Sequence, residues 1–165
     1  MRIGVVSDTH MPSRAKGLPA ALVAGLKGVD RILHAGDFTS PDVIAMLEEL
    51  APLDAVMGNN DGEDIYRRFG RRKVLELAGY RIGLIHGDGY GRTTEERARA
   101  AFSEDPPDVI IFGHSHVPYK AVDQGVLMFN PGSPTDKRRQ PAFSYGILEL
   151  GDTLTAEHYF YTDKS

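Results

Sequence analysis

Ile3-Gly4-Val5-Val6, near the start of the chain, is a short apolar run halted by Ser7-Asp8-Thr9-His10. Its length and branched residues predict a buried strand that delivers Asp8 and His10 to the loop beyond it. Arg31-Ile32-Leu33-His34 repeats the pattern and stops at Ala35-Gly36-Asp37, and a third short strand, Leu53 to Met57, ends in Gly58-Asn59-Asn60-Asp61. Pro19 to Leu26 has a weak helical pattern. Ser40-Pro41-Asp42 supplies an N-cap residue, a proline at the first helical position and an early acid, followed by Val43, Met46, Leu47 and Leu50 at helical spacing. Strand, helix, strand, helix, strand in succession predicts a parallel βαβαβ half-sheet.

Past a polar connector, Lys73 to Leu77 and Tyr80 to Ile85 flank Ala78-Gly79, a pair suited to a tight hairpin. The second of these strands runs into His86. Thr93 to Phe102 reads as a helix with a Thr93/Glu96 capping box, and Val109 to Phe112 as a strand ending in Gly113-His114-Ser115-His116. Tyr119 to Val122, Val126 to Phe129, Ser144 to Leu150 and Thr153 to Tyr159 are expected to be antiparallel strands. No repeat or linker interrupts the 165 residues, so one domain, 1–165, with a mixed sheet or two packed sheets is expected.

Composition narrows the chemistry. A charged fraction of 25% and a hydrophobic fraction of 41% fit a folded globular chain. The formal charge of −4 gives no long-range attraction for nucleic acid, although Lys137, Arg138 and Arg139 form a local basic strip. General nucleic-acid binding is therefore not expected. Arg67, Arg68, Arg71, Arg72 and Lys73 read as a solvated face. No stretch is long enough for a signal-peptide core or a membrane span, which makes a cytoplasmic protein the expectation. With no cysteine, any metal must be held by His, Asp, Glu or Asn.

Asp8-x-His10, Gly36-Asp37, Gly58-Asn59, His86-Gly87 and Gly113-His114-x-His116 each follow an apolar strand directly. The carboxyl ends of parallel strands share one edge of a sheet, so these groups can converge there. Four imidazoles, two carboxylates and one amide oxygen suit two adjacent divalent ions sharing a carboxylate. Four of the six histidines fall in such loops, whereas His34 and His158 read as structural. Gly87-x-Gly89-x-Gly91 matches neither a dinucleotide fingerprint nor a P-loop and reads as a flexible loop beside His86.

In order along the chain, Asp8-Thr9-His10, Gly36-Asp37, Gly58-Asn59-Asn60-Asp61, Gly113-His114-Ser115-His116 and Asn130-Pro131-Gly132-Ser133 resemble the calcineurin-like metallophosphoesterase superfamily. The likeness is strongest to its small single-domain bacterial and archaeal phosphodiesterases and spans essentially the whole chain. It implies a four-layer αββα sandwich of two mixed β-sheets flanked by helices, an α/β fold. It also implies one ion held by Asp8, His10, Asp37 and His116 and a second held by Asp37, Asn59, His86 and His114, with Asp37 bridging. By the same resemblance a metal-bridging hydroxide attacks phosphorus in line, Asp37, Asn59, Asn60 and His10 serve catalysis, and Asn60 and His114 contact substrate. Mixed oxygen and imidazole ligands favour Mn²⁺ and also admit Zn²⁺, Ni²⁺ or Fe²⁺.

Two positions depart from the family pattern. Many members have His where this chain has Asn60, and an amide cannot act as a general acid. Asp88 stands where relatives often carry another His. The Asn60 departure favours a small or nucleotide-derived phosphodiester substrate over a monoester with a poor leaving group. The alternatives are a phosphomonoesterase, or a non-catalytic metal-binding scaffold of the kind a eukaryotic retromer subunit makes from this fold. A scaffold predicts eroded ligands, and all seven are present. No membrane partner is expected, and the sequence leaves a homo-oligomer open.

Overall fold

The computed structural model describes residues 1–165. Along the chain run β1 (Arg2–Val6), α1 (Ala20–Leu26), β2 (Arg31–His34), α2 (Asp42–Glu48), β3 (Leu53–Ala55), α3 (Glu63–Phe69) and β4 (Arg72–Leu77). There follow β5 (Tyr80–Ile85), α4 (Thr94–Ala100), β6 (Val109–Ile111), β7 (Tyr119–Asp123), β8 (Val126–Asn130), β9 (Phe143–Leu150) and β10 (Leu154–Tyr161). They make two five-stranded sheets, ordered β10-β9-β1-β2-β3 and β4-β5-β6-β8-β7. No helix is long and apolar enough to cross a membrane.

The predicted half-sheet is present: β1, β2 and β3 are parallel, with Val6 opposite His34 and His34 opposite Ala55. Equal register at these ends brings the three following loops to one edge. The β4–β5 hairpin turns at Ala78-Gly79, where both residues have positive φ. One expectation is corrected in the last third. β7 and β8 are antiparallel, as are β9 and β10, but β8 lies parallel to β6. β7 occupies the sheet edge, so the chain reverses twice before β8 enters beside β6.

Alternation along the strands sorts side chains into layers. Ile3, Val5, Leu33, Ile82, Leu84, Val109, Ile111, Phe129 and Leu148 fill the space between the two sheets. The other face of the first sheet presents Val6, Ile32, Tyr145 and Ile147 to Leu22 and Leu26 of α1, Val43 and Leu47 of α2, and Ile65 and Phe69 of α3. The outer face of the second sheet packs Ile110, Phe112 and Met128 against Ala98 of α4 and Phe102. The result is the four-layer αββα sandwich. Gly4 lets α1 come close: a Cβ there would lie 2.4 Å from Leu26 Cδ2.

Candidate metal centre

The loops after β1, β2, β5 and β6 meet where the two sheets share an edge. Asp8 (φ 58°), His10 (42°), Asp37 (63°), Thr39 (67°), His114 (73°) and His116 (63°) all have left-handed backbone. For residues other than glycine this costs about 1–3 kcal/mol each, and such strain gathers at functional sites. Two close approaches require glycine. A Cβ on Gly36 would sit 2.7 Å from the backbone N of Gly58, and one on Gly58 would sit 2.1 Å from Asp37 Oδ1.

Asp8 Oδ1 lies 3.8 Å from His10 Nε2, 3.8 Å from His86 Nε2 and 3.6 Å from His116 Nε2. Asp37 Oδ2 is 3.3 Å from both His10 Nε2 and His86 Nε2. Asp8 with His10 and His116, and Asp8 with Asp37 and His86, therefore form two ligand-like groups that share a carboxylate. Asp8 Oδ1 and the Nε2 atoms of His10, His86 and His116 are buried without a hydrogen-bond partner. Four such atoms facing one another are costly unless a cation or a proton lies between them.

The remaining atoms of these groups are committed. His86 Nδ1 lies 2.8 Å from Ala35 O and His116 Nδ1 2.6 Å from Asp136 O. Donation to these carbonyls leaves each Nε2 as a lone pair directed at the carboxylates, the arrangement found for metal-ligating histidines. Ser7 Oγ and the His114 backbone N–H both donate to Asp8 Oδ2, at 2.9 and 3.0 Å, which turns Oδ1 toward the imidazoles. Asp8, His10, Asp37, His86 and His116 thus fit a divalent-metal centre. Its oxygen and imidazole donors match Mn²⁺, Zn²⁺, Ni²⁺ and Fe²⁺ alike.

Three further expected site residues lie outside these two ligand-like groups. His114 is half-buried with its ring edge-on to His86, centroids 5.2 Å apart. Asn60 donates from its backbone N–H to Asp37 Oδ1 and from Nδ2 to Oδ2, each at 2.9 Å, so it orients that carboxylate. Asn59 is exposed and takes part in none of the site's side-chain hydrogen bonds. His34 and His158 serve structure, as expected. His34 accepts from the Gly36 N–H, and His158 Nε2 lies 2.7 Å from Asn130 O.

The electrostatics follow from burial among opposite charges. Burial opposes ionisation of Asp37, yet His86 and the two Asn60 N–H groups hold its carboxyl well below the ordinary range. Burial likewise opposes a charged His86, but Asp37 and Asp8 outweigh it and raise this imidazole to about 9. Without a metal, a proton on His86 takes the place of a cation. Burial, followed by the His86 charge, lowers His114, and burial also lowers His116.

Two of the site's supports, Asp61 and the Asn130-Pro131-Gly132-Ser133 loop, lie in motifs that stand out in the sequence. Asp61 Oδ2 accepts from the N–H groups of Asp37 and Gly58, and Oδ1 from Thr39, all at 2.8 Å. Ser133 Oγ donates to Asp8 O, and Asn130 Nδ2 donates to Gly113 O and Ser115 Oγ. The Asn130-Pro131-Gly132-Ser133 loop thus buttresses both histidine loops. Asp136 and Thr135 carry no local signal.

Comparison with known proteins agrees with this geometry. The profile described as the calcineurin-like phosphoesterase superfamily domain matches residues 1–153. A probable metallophosphoesterase of Methanothermobacter thermautotrophicus is 43% identical over 162 residues, covering 95% of this chain and 91% of its own. A phosphodiesterase of Methanocaldococcus jannaschii is 30% identical over 147 residues, covering 80% and 83%. Among solved structures, wild-type Vps29 of Entamoeba histolytica complexed with Zn²⁺ superimposes with a TM-score of 0.82 at 26% identity, covering 100% of this chain and 95% of that one. The match of profile, relatives and layered fold settles the family: this chain belongs to the calcineurin-like phosphoesterase superfamily.

Proposed function

We propose that the chain is a metal-dependent phosphodiesterase acting on a small or nucleotide-derived diester at a two-metal site. The observation that carries this reading is the convergence of four buried, unpartnered ligand atoms, Asp8 Oδ1 and the Nε2 atoms of His10, His86 and His116, beside the Asp37 carboxylate. Asp8, His10, Asp37 and His116 would hold one ion, and Asp37, Asn59, His86 and His114 the other, Mn²⁺ being the favoured metal. When bound, such a pair of ions supplies Lewis acidity toward phosphoryl oxygens and generates a nucleophile from water near neutral pH.

The chain's own residues set the geometry and the limits of that chemistry. Asp37 spans His10 and His86 through Oδ2, and Asn60 fixes its plane from both oxygens. His114, half-buried at the rim, has its proton affinity lowered by burial and then by the His86 charge, and would offer a hydrogen bond to a phosphoryl oxygen. Position 60 provides an amide where an acid would protonate a departing alkoxide, so diesters with stable leaving groups are favoured.

The test is hydrolysis of bis(p-nitrophenyl) phosphate and p-nitrophenyl phosphate by chelator-stripped protein before and after addition of Mn²⁺, Zn²⁺, Ni²⁺ or Fe²⁺. Diester turnover restored by metal and exceeding monoester turnover supports the reading. Monoester preference would make the chain a phosphomonoesterase, and no turnover with any ion would leave it a metal-binding scaffold.

A further inference from the structure

The basic strip Lys137-Arg138-Arg139 is not used by the proposed chemistry, yet it stands beside the site. It lies on the loop between β8 and β9, one residue beyond Asp136, whose carbonyl receives the His116 Nδ1–H at 2.6 Å. The loop is held at both ends: Asp136 N–H donates to Ser133 Oγ at 2.9 Å, and Gln140 N–H to Lys137 O at 2.9 Å. The cations are thus presented on a fixed turn.

Three features set the strip apart from an ordinary solvated surface. First, no carboxylate lies within ion-pairing distance of any of the three. The nearest acid in sequence, Asp136, faces Arg14 Nε at 3.4 Å and His116 Nδ1 at 3.8 Å. In the other basic cluster Arg67, Arg68 and Lys73 pair with Glu63, Glu48 and Asp54, while Arg71 and Arg72 lie over the Tyr66 and Phe102 rings. Second, Arg138 holds left-handed backbone at φ 49°, a conformation glycine adopts freely and arginine does not. Third, the turn that carries it is fastened to the His116 loop, the His116 Nδ1–H being donated to Asp136 O two residues before Arg138. Lys137 continues the surface away from the site, its ammonium 5.9 Å above the Phe143 ring, into a cleft of about 710 Å³ that Lys16 also lines. In a chain of formal charge −4, two adjacent unpaired arginines at the rim of an anion-processing site mark a place for a second anion.

We propose that Arg138 and Arg139 form a phosphate subsite beside His116, and that the substrate is a nucleotide-derived diester carrying an additional phosphate group. The assignment of substrate rests on the phosphodiesterase reading; the subsite itself does not. Guanidinium groups suit a terminal phosphate because they donate paired N–H bonds to its oxygens.

The variant that removes the side chain without straining the turn is Arg138→Gly, since glycine tolerates the left-handed backbone at this position. Two measurements use the full chain. In the first, Mn²⁺-loaded protein cleaves a thymidine dinucleotide with and without a terminal phosphate, at either end. The wild type is expected to favour a phosphorylated form by about tenfold in kcat/KM through KM, and Arg138→Gly to lose most of that ratio while Arg138→Lys retains part. In the second, binding of thymidine 3′,5′-bisphosphate is compared with thymidine 5′-monophosphate in metal-free protein, with the same expected preference, weakening as salt rises. Equal affinities in the wild type, or an unchanged preference in Arg138→Gly, overturn the subsite. If no diester is cleaved with any divalent ion, the phosphodiesterase reading and the substrate assignment fall, and the binding comparison alone then upholds or overturns the subsite.

Discussion

Asp61 ties together the two loops that bring Asp37 and Gly58 to the site, accepting three backbone N–H groups at 2.8 Å. An amide at this position keeps one acceptor and turns an N–H₂ toward groups that also donate. Asp61→Asn is therefore expected to retain the fold and weaken metal binding by roughly tenfold, since supports of this kind typically contribute 10–100-fold in affinity. Titration of Mn²⁺ into chelator-stripped protein measures it, and an unchanged affinity would show that Asp61 holds the loop without affecting the ligands. Asp37→Ala is the stronger case. Its Oδ2 faces both His10 and His86, so its removal is expected to abolish metal occupancy, measured by elemental analysis, together with diester turnover. Metal retained at full stoichiometry would place the shared carboxylate on Asp8, which also approaches all three imidazoles.

At the scale of elements, strands were easier to read than helices. Ile3–Val6, Ile32–Leu33 and Val109–Ile111 are dense in branched residues because both their faces are covered, and that burial writes itself as an apolar run. α3 left no such mark. Its seven residues place only Ile65 and Phe69 in the core, between charged neighbours, and read as a polar connector. A helix so short is made by the surface it packs on. The ligand loops were legible because each directly follows a strand, and Asp61 and Ser133 stood out as members of sequence motifs, whereas Thr135 and Asp136 act across long stretches of chain that no local pattern records. α4 is the exception among the helices: Thr93 Oγ1 accepts from the Glu96 N–H while Glu96 Oε1 receives the Thr93 N–H. In a helix of seven residues this cap matters, and α4 also carries Arg97, whose Nε holds Gly87 O in the loop after His86. Thr93→Ala is expected to cost about 1 kcal/mol in urea unfolding, and a change below the error of that measurement would mean that packing alone holds α4.

The molecule as a whole joins two sheets whose carboxyl ends face one pool of charge, and this makes its stability depend on pH, in part through a buried group outside the site. His34 is fully buried on the helix-facing side of the first sheet, its ring stacked 3.6 Å from that of Phe38. Its Nδ1 accepts from the Gly36 N–H at 3.0 Å, so the other nitrogen carries the proton toward Thr9 Oγ1 at 3.2 Å. A second proton would have to displace the Gly36 bond at a fully buried ring, and burial lowers this imidazole from 6.5 to about 3. The unfolded chain binds that proton near pH 6.5 and the folded chain only near 3. Between these values the unfolded state carries more protons, so the contribution of neutral His34 is complete above about pH 6.5 and is lost as pH falls. One such group gives a slope of about 1.4 kcal/mol per pH unit. His114, His116 and His158, also lowered, add slope of the same sign, while the contribution of His86, raised to about 9, is already complete in this window. The carboxyls of Asp8 and Asp37, held below their usual range, release their share only at lower pH. Urea unfolding of metal-free protein at several pH values between about 6 and 4.5 is expected to show a shallower pH slope in His34→Asn than in the wild type, by about 1.4 kcal/mol per unit, whatever the variant's absolute stability. Parallel slopes would mean that His34 is protonated in the folded chain, and the hydrogen bond from Gly36 would then have to be abandoned as the support of the Asp37 loop.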